Sequence, residues 1–343
     1  MSPALNYGQQ AYEGLKAFRT PTGISVFRPQ RNAVRLQHSA GVISVPPVPE
    51  ALFLEGVRAA VALNAEFVPP HETGAALYIR PQVYGSSAQL GLSPPDEYTF
   101  LVFVVPTGTY HGTQPTRALI LDEFDRAAPN GTGNAKVGGN YAPVLRWSDA
   151  ARVRGFGITL HLDSARHEEI DEFSTSGFIG ALVSGDDVTL VVPDSHCIID
   201  SVTSDSIQGI GRSFGWKVER RPIKYGELPA FSEVMAAGTA AALVPIRSIT
   251  RAGLGSHGDV VLPRDSAKVT VDEEKKEETV TFIPAEQEDA GPLCLKLLTT
   301  LKAIQLGKVP DEFGWRTEIT KADTKLGEVQ DTNGHTPTVD QLE

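Results

Sequence analysis

Residues 98–105 read YTFLVFVV, and residues 106–117 read PTGTYHGTQPTR. The first run is nearly continuous in apolar and β-favouring residues, which predicts a strand buried on both faces. The second is dominated by Pro, Gly and Thr, residues that punctuate regular structure. This juncture constrains the fold strongly, because one core must close before it and another after it. A chain of 343 residues is long enough for both. The expected division is a first unit over 1–107, a linker over 108–116, a second unit over 117–320 and a tail over 321–343. The tail is polar and unperiodic, so it is expected to be disordered.

Helical spacing of Ala33, Leu36 and Ala40, after Pro29, predicts a helix from Pro29 to about Ser39. Asn32 and Arg35 fall on its other faces. Leu54, Val57, Val61 and Leu63 predict a second helix near 49–66. Further helices are expected over 140–154, 201–214 and 292–305, with strands among them at 118–121, 156–161 and 188–192. The acidic run DEEKKEE, 272–278, reads as a solvated hairpin or loop.

Several classes fall away. Net charge is −11, which argues against nucleic acid or an anionic membrane as main partner. Cys197 and Cys294 are too few for a disulfide scaffold or a four-cysteine zinc site. No apolar run reaches the roughly 18 residues of a membrane span. The start, MSPALNYGQQ, has no charged and apolar leader pattern. The expected compartment is therefore the cytoplasm, or the mitochondrion for a chain with a longer N-terminus. GxSxG, HExxH and GxxxxGK[ST] are absent, and no GxGxxG is found opening a βαβ unit.

Three features carry possible chemistry. Lys136 sits among Gly131, Gly133, Gly138 and Gly139, where backbone can be approached closely. Such a lysine is either a surface cation or a Schiff-base nucleophile. Ser201-Val202-Thr203 and Gly238-Thr239-Ala240 are either plain caps or anion cradles, with Arg35 as a candidate countercharge. Glu172 lies in an acidic run and is either solvated or the partner of a protonated ring nitrogen.

The segments LNYGQQAYEGLKAFR, FRPQRNAVRLQHSA, AKVGGNYAP and GTAAALVPIRSI, in that order, resemble the branched-chain amino acid aminotransferases. IQLGKVPDEFGW, 304–315, is similar to that family's closing segment. The resemblance runs from about Leu5 to Trp315. It implies an α/β (α+β) chain with the two-domain fold-type IV architecture, a small α/β domain and a large pseudo-barrel. It implies pyridoxal 5′-phosphate as cofactor and no metal. The implied reaction belongs to branched-chain amino acid metabolism: Leu, Ile or Val donates its amino group and 2-oxoglutarate accepts it, giving glutamate. The implied partners are these small molecules and a second copy of the chain.

The resemblance also assigns roles. Lys136 matches the lysine that bonds the cofactor and moves the proton, and Tyr141 a tyrosine near the cofactor phenolic oxygen. Glu172 matches the glutamate at the pyridine nitrogen, and Arg35 the phosphate arginine. Val202, Thr203 and Thr239 match the phosphate cradle. Thr239 and Ala240 match a turn that meets the substrate carboxylate. Tyr7, Tyr12, Tyr78, Arg80 and Thr175 match the substrate pocket, and Leu90 and Leu92 a loop the other subunit contributes. Arg80 is the candidate for a substrate γ-carboxylate.

Three positions depart from the family pattern. Gly177 replaces Asn, which is expected to loosen the turn positioning Glu172. Ser201 replaces Gly, adding a side chain at the phosphate cup. Ser204 replaces a basic residue. They leave open (R)-amine or D-amino acid transamination, aminodeoxychorismate lysis, a specialised-metabolite aminotransferase, or a non-catalytic relic.

Overall fold

The computed structural model describes residues 1–108, 114–253 and 262–325. A short helix, α1 (Pro3–Tyr7), leads into strands β1 (Gln10–Tyr12), β2 (Leu15–Thr20) and β3 (Gly23–Phe27). Helices α2 (Pro29–Val42) and α3 (Glu50–Leu63) follow, then the long strands β4 (Ala76–Gly85) and β5 (Tyr98–Thr107). All pairings in this sheet are antiparallel, with β5 on one edge of β4 and both β1 and β2 on the other. The helices bury Ala33, Leu36, Ala40, Phe53, Val57 and Val61 against Val26, Leu77, Ile79 and Val83 of the sheet.

The second part begins with β6 (Thr116–Ile120), α4 (Leu145–Val153), β7 (Ile158–Leu162), β8 (Ile170–Phe173) and β9 (Ser176–Ser184). It continues through β10 (Asp187–Pro193), α5 (Val202–Ser213), β11 (Lys217–Arg221), β12 (Glu233–Gly238) and β13 (Ala242–Ala252). Then come β14 (Val269–Asp272), β15 (Glu277–Thr281) and α6 (Pro292–Gln305). The pairings β6–β7–β8–β9–β12–β13–β6 return to their start, so six strands close into a barrel. Ile120, Leu160, Ile170, Phe178, Val234 and Ile246, one from each barrel strand, share one core. The alternate residues Ile179 and Met235 face the other way, onto Ile207 and Ile210 of α5 and Leu297 and Leu301 of α6. That period-2 switch is what a strand between two apolar layers requires. The last strand, β16 (Arg316–Ile319), pairs with β3 of the first sheet.

Four expectations change. The run 98–105 is a strand but not a doubly buried one: β5 pairs only with β4. One face, including Phe100 and Val102, packs on the first core, while Phe103 and Val105 on the other are about half exposed. A continuous apolar run marks two faces that avoid water, and within one chain only one is covered. The helix expected from Asn140 begins at Leu145, after two 3₁₀ turns at Gly138–Asn140 and Ala142–Val144. Gly138 and Gly139 are poor helix formers, and Pro143 has no N–H to give. Asn32 and Arg35 are buried rather than on solvent faces, because both bond the buried carboxylate of Glu13. Finally, Lys321–Thr324 form a 3₁₀ turn instead of disordered chain, and Asp323 pairs with Arg58 of α3 at 2.6 Å. Residues 326–343 of the expected tail and 109–113 of the expected linker lie outside the described residues. The acidic run forms the expected β14–β15 hairpin, but it is not solvated throughout: Glu278 is buried and accepts from the Tyr225 hydroxyl at 2.7 Å.

Candidate active site

Lys136 is fixed through its backbone. Its N–H donates to Ser39 Oγ of α2 at 2.8 Å, and its carbonyl accepts from the N–H of Tyr12 at 3.1 Å. A loop tied at both sides presents its side chain as rigidly as a strand would. The amine then points into a cavity of about 220 Å³ between the first sheet and the barrel. Nζ lies 3.2 Å from the Tyr141 hydroxyl and over the rings of Tyr12 and Tyr141, at 4.6 and 4.9 Å from their centroids.

Glu172 enters from β8, opposite Gly177 of β9. The β8–β9 turn, Ser174-Thr175, closes between Phe173 and Ser176. Gly177 stays in strand register with both Glu172 and Ala237, so the departure at this position leaves the hairpin closed rather than loosened. The Glu172 carboxylate is buried and accepts from the Ile199 N–H at 3.3 Å to each oxygen. Burial pushes its pKa up to about 7. Arg126, 2.6 Å away, pulls the other way.

Tyr141 shows the opposite balance. Burial would raise its phenol, but the Lys136 amine and the Arg126 guanidinium hold it below the ordinary tyrosine value. At Tyr12 burial and the neighbouring Tyr141 outweigh Arg80, and its phenol is driven far upward.

The opposite wall comes from β4. Arg80 lies between the rings of Tyr12 and Tyr78, at 4.8 and 5.3 Å, and donates to the Tyr78 hydroxyl at 3.2 Å. Its Nε is buried without a partner among the described residues. Gly14 makes room for this wall: a Cβ there would lie 2.1 Å from the Tyr78 hydroxyl oxygen.

The floor is built from two chain reversals. The first is the start of α5, where Ser201 Oγ accepts the Ser204 N–H at 3.1 Å. The serine that replaces glycine thus serves as an N-cap. Amides of Val202 and Thr203, in the first turn, have no carbonyl one turn back within the helix. The second is the β12–β13 turn at Thr239-Ala240, where Gly238 lets the backbone approach Ser176: a Cβ would lie 2.9 Å from Ser176 Oγ. A separate small cavity, which shares Gly14, Gly238 and Thr239 with the first, is lined by Val202 and Thr203.

The structure therefore brings Lys136, Tyr141, Glu172, Arg35, Tyr12, Tyr78, Arg80, Thr175, Thr239 and Ala240 to one cavity, while Val202 and Thr203 line the small adjoining one. Tyr7, Leu90 and Leu92 are not brought there. Instead the Tyr7 hydroxyl donates to the Leu90 carbonyl, and Leu90 and Leu92 stand 67% and 83% exposed. Arg35 arrives already paired. Nε and Nη2 grip Glu13, and Nη1 donates to the Asp200 carbonyl at 2.8 Å. A larger neighbouring cavity, about 470 Å³, shares Arg35, Gly177, Ile199 and Ser201 with the first. It contains neither the lysine nor the carboxylate and phenol around it, so the chemistry belongs to the smaller one.

Sequence reasoning missed four residues. Arg126 has no motif around it. Glu13 sits inside the quoted YEGLKAF segment, where only its burial marks it. Lys16 donates to the Ala240 carbonyl at 2.6 Å, and burial, with Lys302 nearby, lowers it to about 8. His161 bonds Ser174 Oγ at 2.7 Å behind the β8–β9 turn, and burial lowers it to about 3.

A lysine amine, phenol and carboxylate around one cavity, beside a helix start and a glycine turn, are the donors a phosphorylated pyridine aldehyde needs. The amino-transferase class IV family matches residues 10–249. The chain belongs to this family. Among relatives of this class IV aminotransferase, aminotransferase poxL of Penicillium oxalicum is 55% identical over 317 residues, which cover 92% of this chain and 80% of poxL. Aminotransferase atnJ of Emericella nidulans is 49% identical, covering 93% and 86%. The branched-chain amino acid aminotransferase gloG of Glarea lozoyensis is 47% identical, covering 94% and 84%. The branched-chain aminotransferase structure from Escherichia coli has a TM-score of 0.73 at 24% identity and 93% coverage of both chains. A second branched-chain aminotransferase structure, which carries pyridoxamine 5′-phosphate, has 0.73 at 24%, covering 93% and 92%. These likenesses establish the fold-type IV architecture of the class IV aminotransferase. Among its described residues, no helix is long and apolar enough to cross a membrane.

Proposed function

We propose that this aminotransferase uses pyridoxal 5′-phosphate to move the amino group of a branched, apolar L-amino acid (Leu, Ile or Val) to 2-oxoglutarate. The observation that carries this reading is the Lys136 amine at 3.2 Å from Tyr141, in a cavity whose buried carboxylate is Glu172.

The donor set fits the cofactor. Glu172 would hold the ring nitrogen, Tyr141 the phenolic oxygen, and the amides of Val202 and Thr203 with Thr239 the phosphate. Arg35 would add positive charge at the phosphate end while remaining clamped by Glu13. When bound, the cofactor supplies a carbonyl that condenses with amines and an electron-withdrawing ring. Lys136, once its amine is free, takes the proton from the substrate α-carbon and returns it on the other side of the exchange. Tyr141 hydrogen-bonds that amine and limits its reach. Amides of the Thr239-Ala240 turn face the substrate carboxylate, and Lys16 fixes the turn through the Ala240 carbonyl. Tyr12, Tyr78 and Thr175 bound the side-chain space, with polar tips on an apolar wall. Arg80, whose Nε lacks a partner, receives a γ-carboxylate in the second half of the cycle.

We further propose a homodimer. Leu90 and Leu92 are exposed in the single chain, and Tyr7 is tied to their loop. All three would reach the partner's cavity, and the open face of β5 would join the interface. The division into a 1–107 unit and a 117–320 unit is retained in this reading, with β16 returning to the first.

A second reading is a specialised-metabolite aminotransferase of the same fold. The hydroxyls of Tyr12, Tyr78 and Thr175 around the cavity favour a donor whose side chain carries a polar group.

The test is a spectral titration of protein loaded with pyridoxal phosphate. L-leucine is expected to bleach the visible band of wild type, and Lys136→Ala is expected to form no such band. A band bleached only by other amines would keep the cofactor and remove the substrate assignment. Absence of any band in folded wild type would remove both.

A further inference from the structure

Arg126 precedes β7 in a loop and reaches the base of the cavity with 2% of its side chain exposed. Its Nη1 lies 2.6 Å from Glu172 Oε1 and 3.1 Å from the Gly133 carbonyl. Its guanidinium carbon lies 5.6 Å from the centroid of the Tyr141 ring. Its Nε is buried without a partner among the described residues. We infer that Arg126 is a positioning residue that holds Glu172 in place, favours its anionic form and shares its charge with the Tyr141 oxygen, so that one guanidinium governs both groups. The inference rests on the proposed function for what those groups then do. The charge coupling itself needs no cofactor.

Glu172 is buried, faces the like charge of Asp171, and among the described residues has the Ile199 amide as its one neutral donor. Burial holds its carboxyl at about 7 even with the guanidinium beside it, so without Arg126 it would keep its proton above neutrality, and a protonated carboxyl cannot hold a protonated ring nitrogen. Lys136 is the other nearby cation, yet as the base it must be neutral for part of each cycle. Arginine does not deprotonate in proteins, so its charge is constant while that of Lys136 alternates. Tyr141 faces Lys136, Arg126, Tyr12 and Glu172 and feels the same constant charge. A clamp serving structure alone would need only the Gly133 and Glu172 contacts and would leave Tyr141 unaffected.

The test uses Arg126→Met and Arg126→Lys in the full chain. Tyrosine labelled with carbon-13 at Cζ reports ionisation residue by residue, and Tyr141→Phe identifies the Tyr141 signal. In cofactor-free protein, Arg126→Met is expected to raise the Tyr141 midpoint by about one pH unit or more, and Arg126→Lys to restore part of it. In loaded protein, the pH midpoint of the visible band is expected to move in Arg126→Met and partly return in Arg126→Lys. Should Arg126→Met fail to fold, Arg126→Met with Glu172→Gln removes the unpaired buried charge, and its Tyr141 midpoint is expected to lie above that of Glu172→Gln alone, since the carboxylate's own upward push is absent from both. Unchanged Tyr141 and band midpoints in a folded variant would overturn the inference. If wild type forms no visible band, the proposed function falls, and the Tyr141 midpoint still decides the role of Arg126.

Discussion

Arg35 of α2 holds Glu13, in the β1–β2 connection, through Nε and Nη2 at 2.7 Å each, with both side chains buried. Asn32, one turn earlier, donates to the same carboxylate at 2.7 Å. Removing the carboxylate leaves a buried guanidinium without its counterion. Glu13→Ala is therefore expected to cost about 3–5 kcal/mol of stability. Urea denaturation of the full chain checks this; a loss below about 1 kcal/mol would mean that water replaces the carboxylate.

Lys136 is anchored by its backbone to Ser39 and Tyr12, so changing its side chain should leave the fold intact. Lys136→Ala is expected to lower turnover by about 10²–10⁴-fold or more, with an unchanged melting temperature in cofactor-free protein. Single-turnover kinetics with L-leucine measure it.

Arg80 separates the two halves of the proposed exchange. Arg80→Met should raise KM for 2-oxoglutarate by roughly 10–100-fold, because a charge-assisted bond is lost. KM for L-leucine should change by less than about threefold, since an apolar side chain has no use for that charge. Equal effects on both substrates would make Arg80 a structural residue.

Two buried groups set the pH dependence of stability. Glu172 is raised from its ordinary 4.5 to about 7, so the folded chain binds its proton more tightly than the unfolded chain. This contribution is fully present below pH 4.5 and is lost as pH rises through about 7, amounting to about 3 kcal/mol. His161 is lowered from 6.5 to about 3, so its contribution is present above 6.5 and is lost as pH falls through about 3. The two slopes oppose each other between pH 4.5 and 6.5. Glu172→Gln should abolish the loss between pH 6.5 and 7.5, and His161→Phe should leave that window alone. Denaturation midpoints of the cofactor-free chain across pH test both.

Phe103 and Val105 stand open on β5, away from the first core. Phe103→Asp with Val105→Asp should keep the fold and convert a dimer to monomers, read by light scattering after size exclusion. Activity should fall with it if the Leu90 and Leu92 loop acts in the partner's cavity. A dimer that persists would move the interface elsewhere.

Legibility in the sequence varies with how local the cause is. α6 (Pro292–Gln305) coincides with the helix read from its proline start. Helices α2 and α5 differ from their expected ends by a few residues, where capping geometry decides. Lys136, Tyr141, Glu172 and the two cradle segments are legible because they sit inside motifs. Their convergence on one cavity requires the fold. Arg126 and Glu13 are invisible because their importance is a contact with a distant residue, and no period or spacing encodes that. The open face of β5 escapes a sequence reading because apolar runs report avoidance of water and say nothing of which chain provides the cover.

β16 pairs with β3, although about 290 residues separate them along the chain. A ribosome working at roughly 5–20 residues per second needs roughly 15–60 s to travel that distance. Through that interval the edge of β3 is an unpaired row of backbone donors and acceptors, open to any other nascent strand. The first sheet, although it is made first, is thus among the last parts of the molecule to be finished.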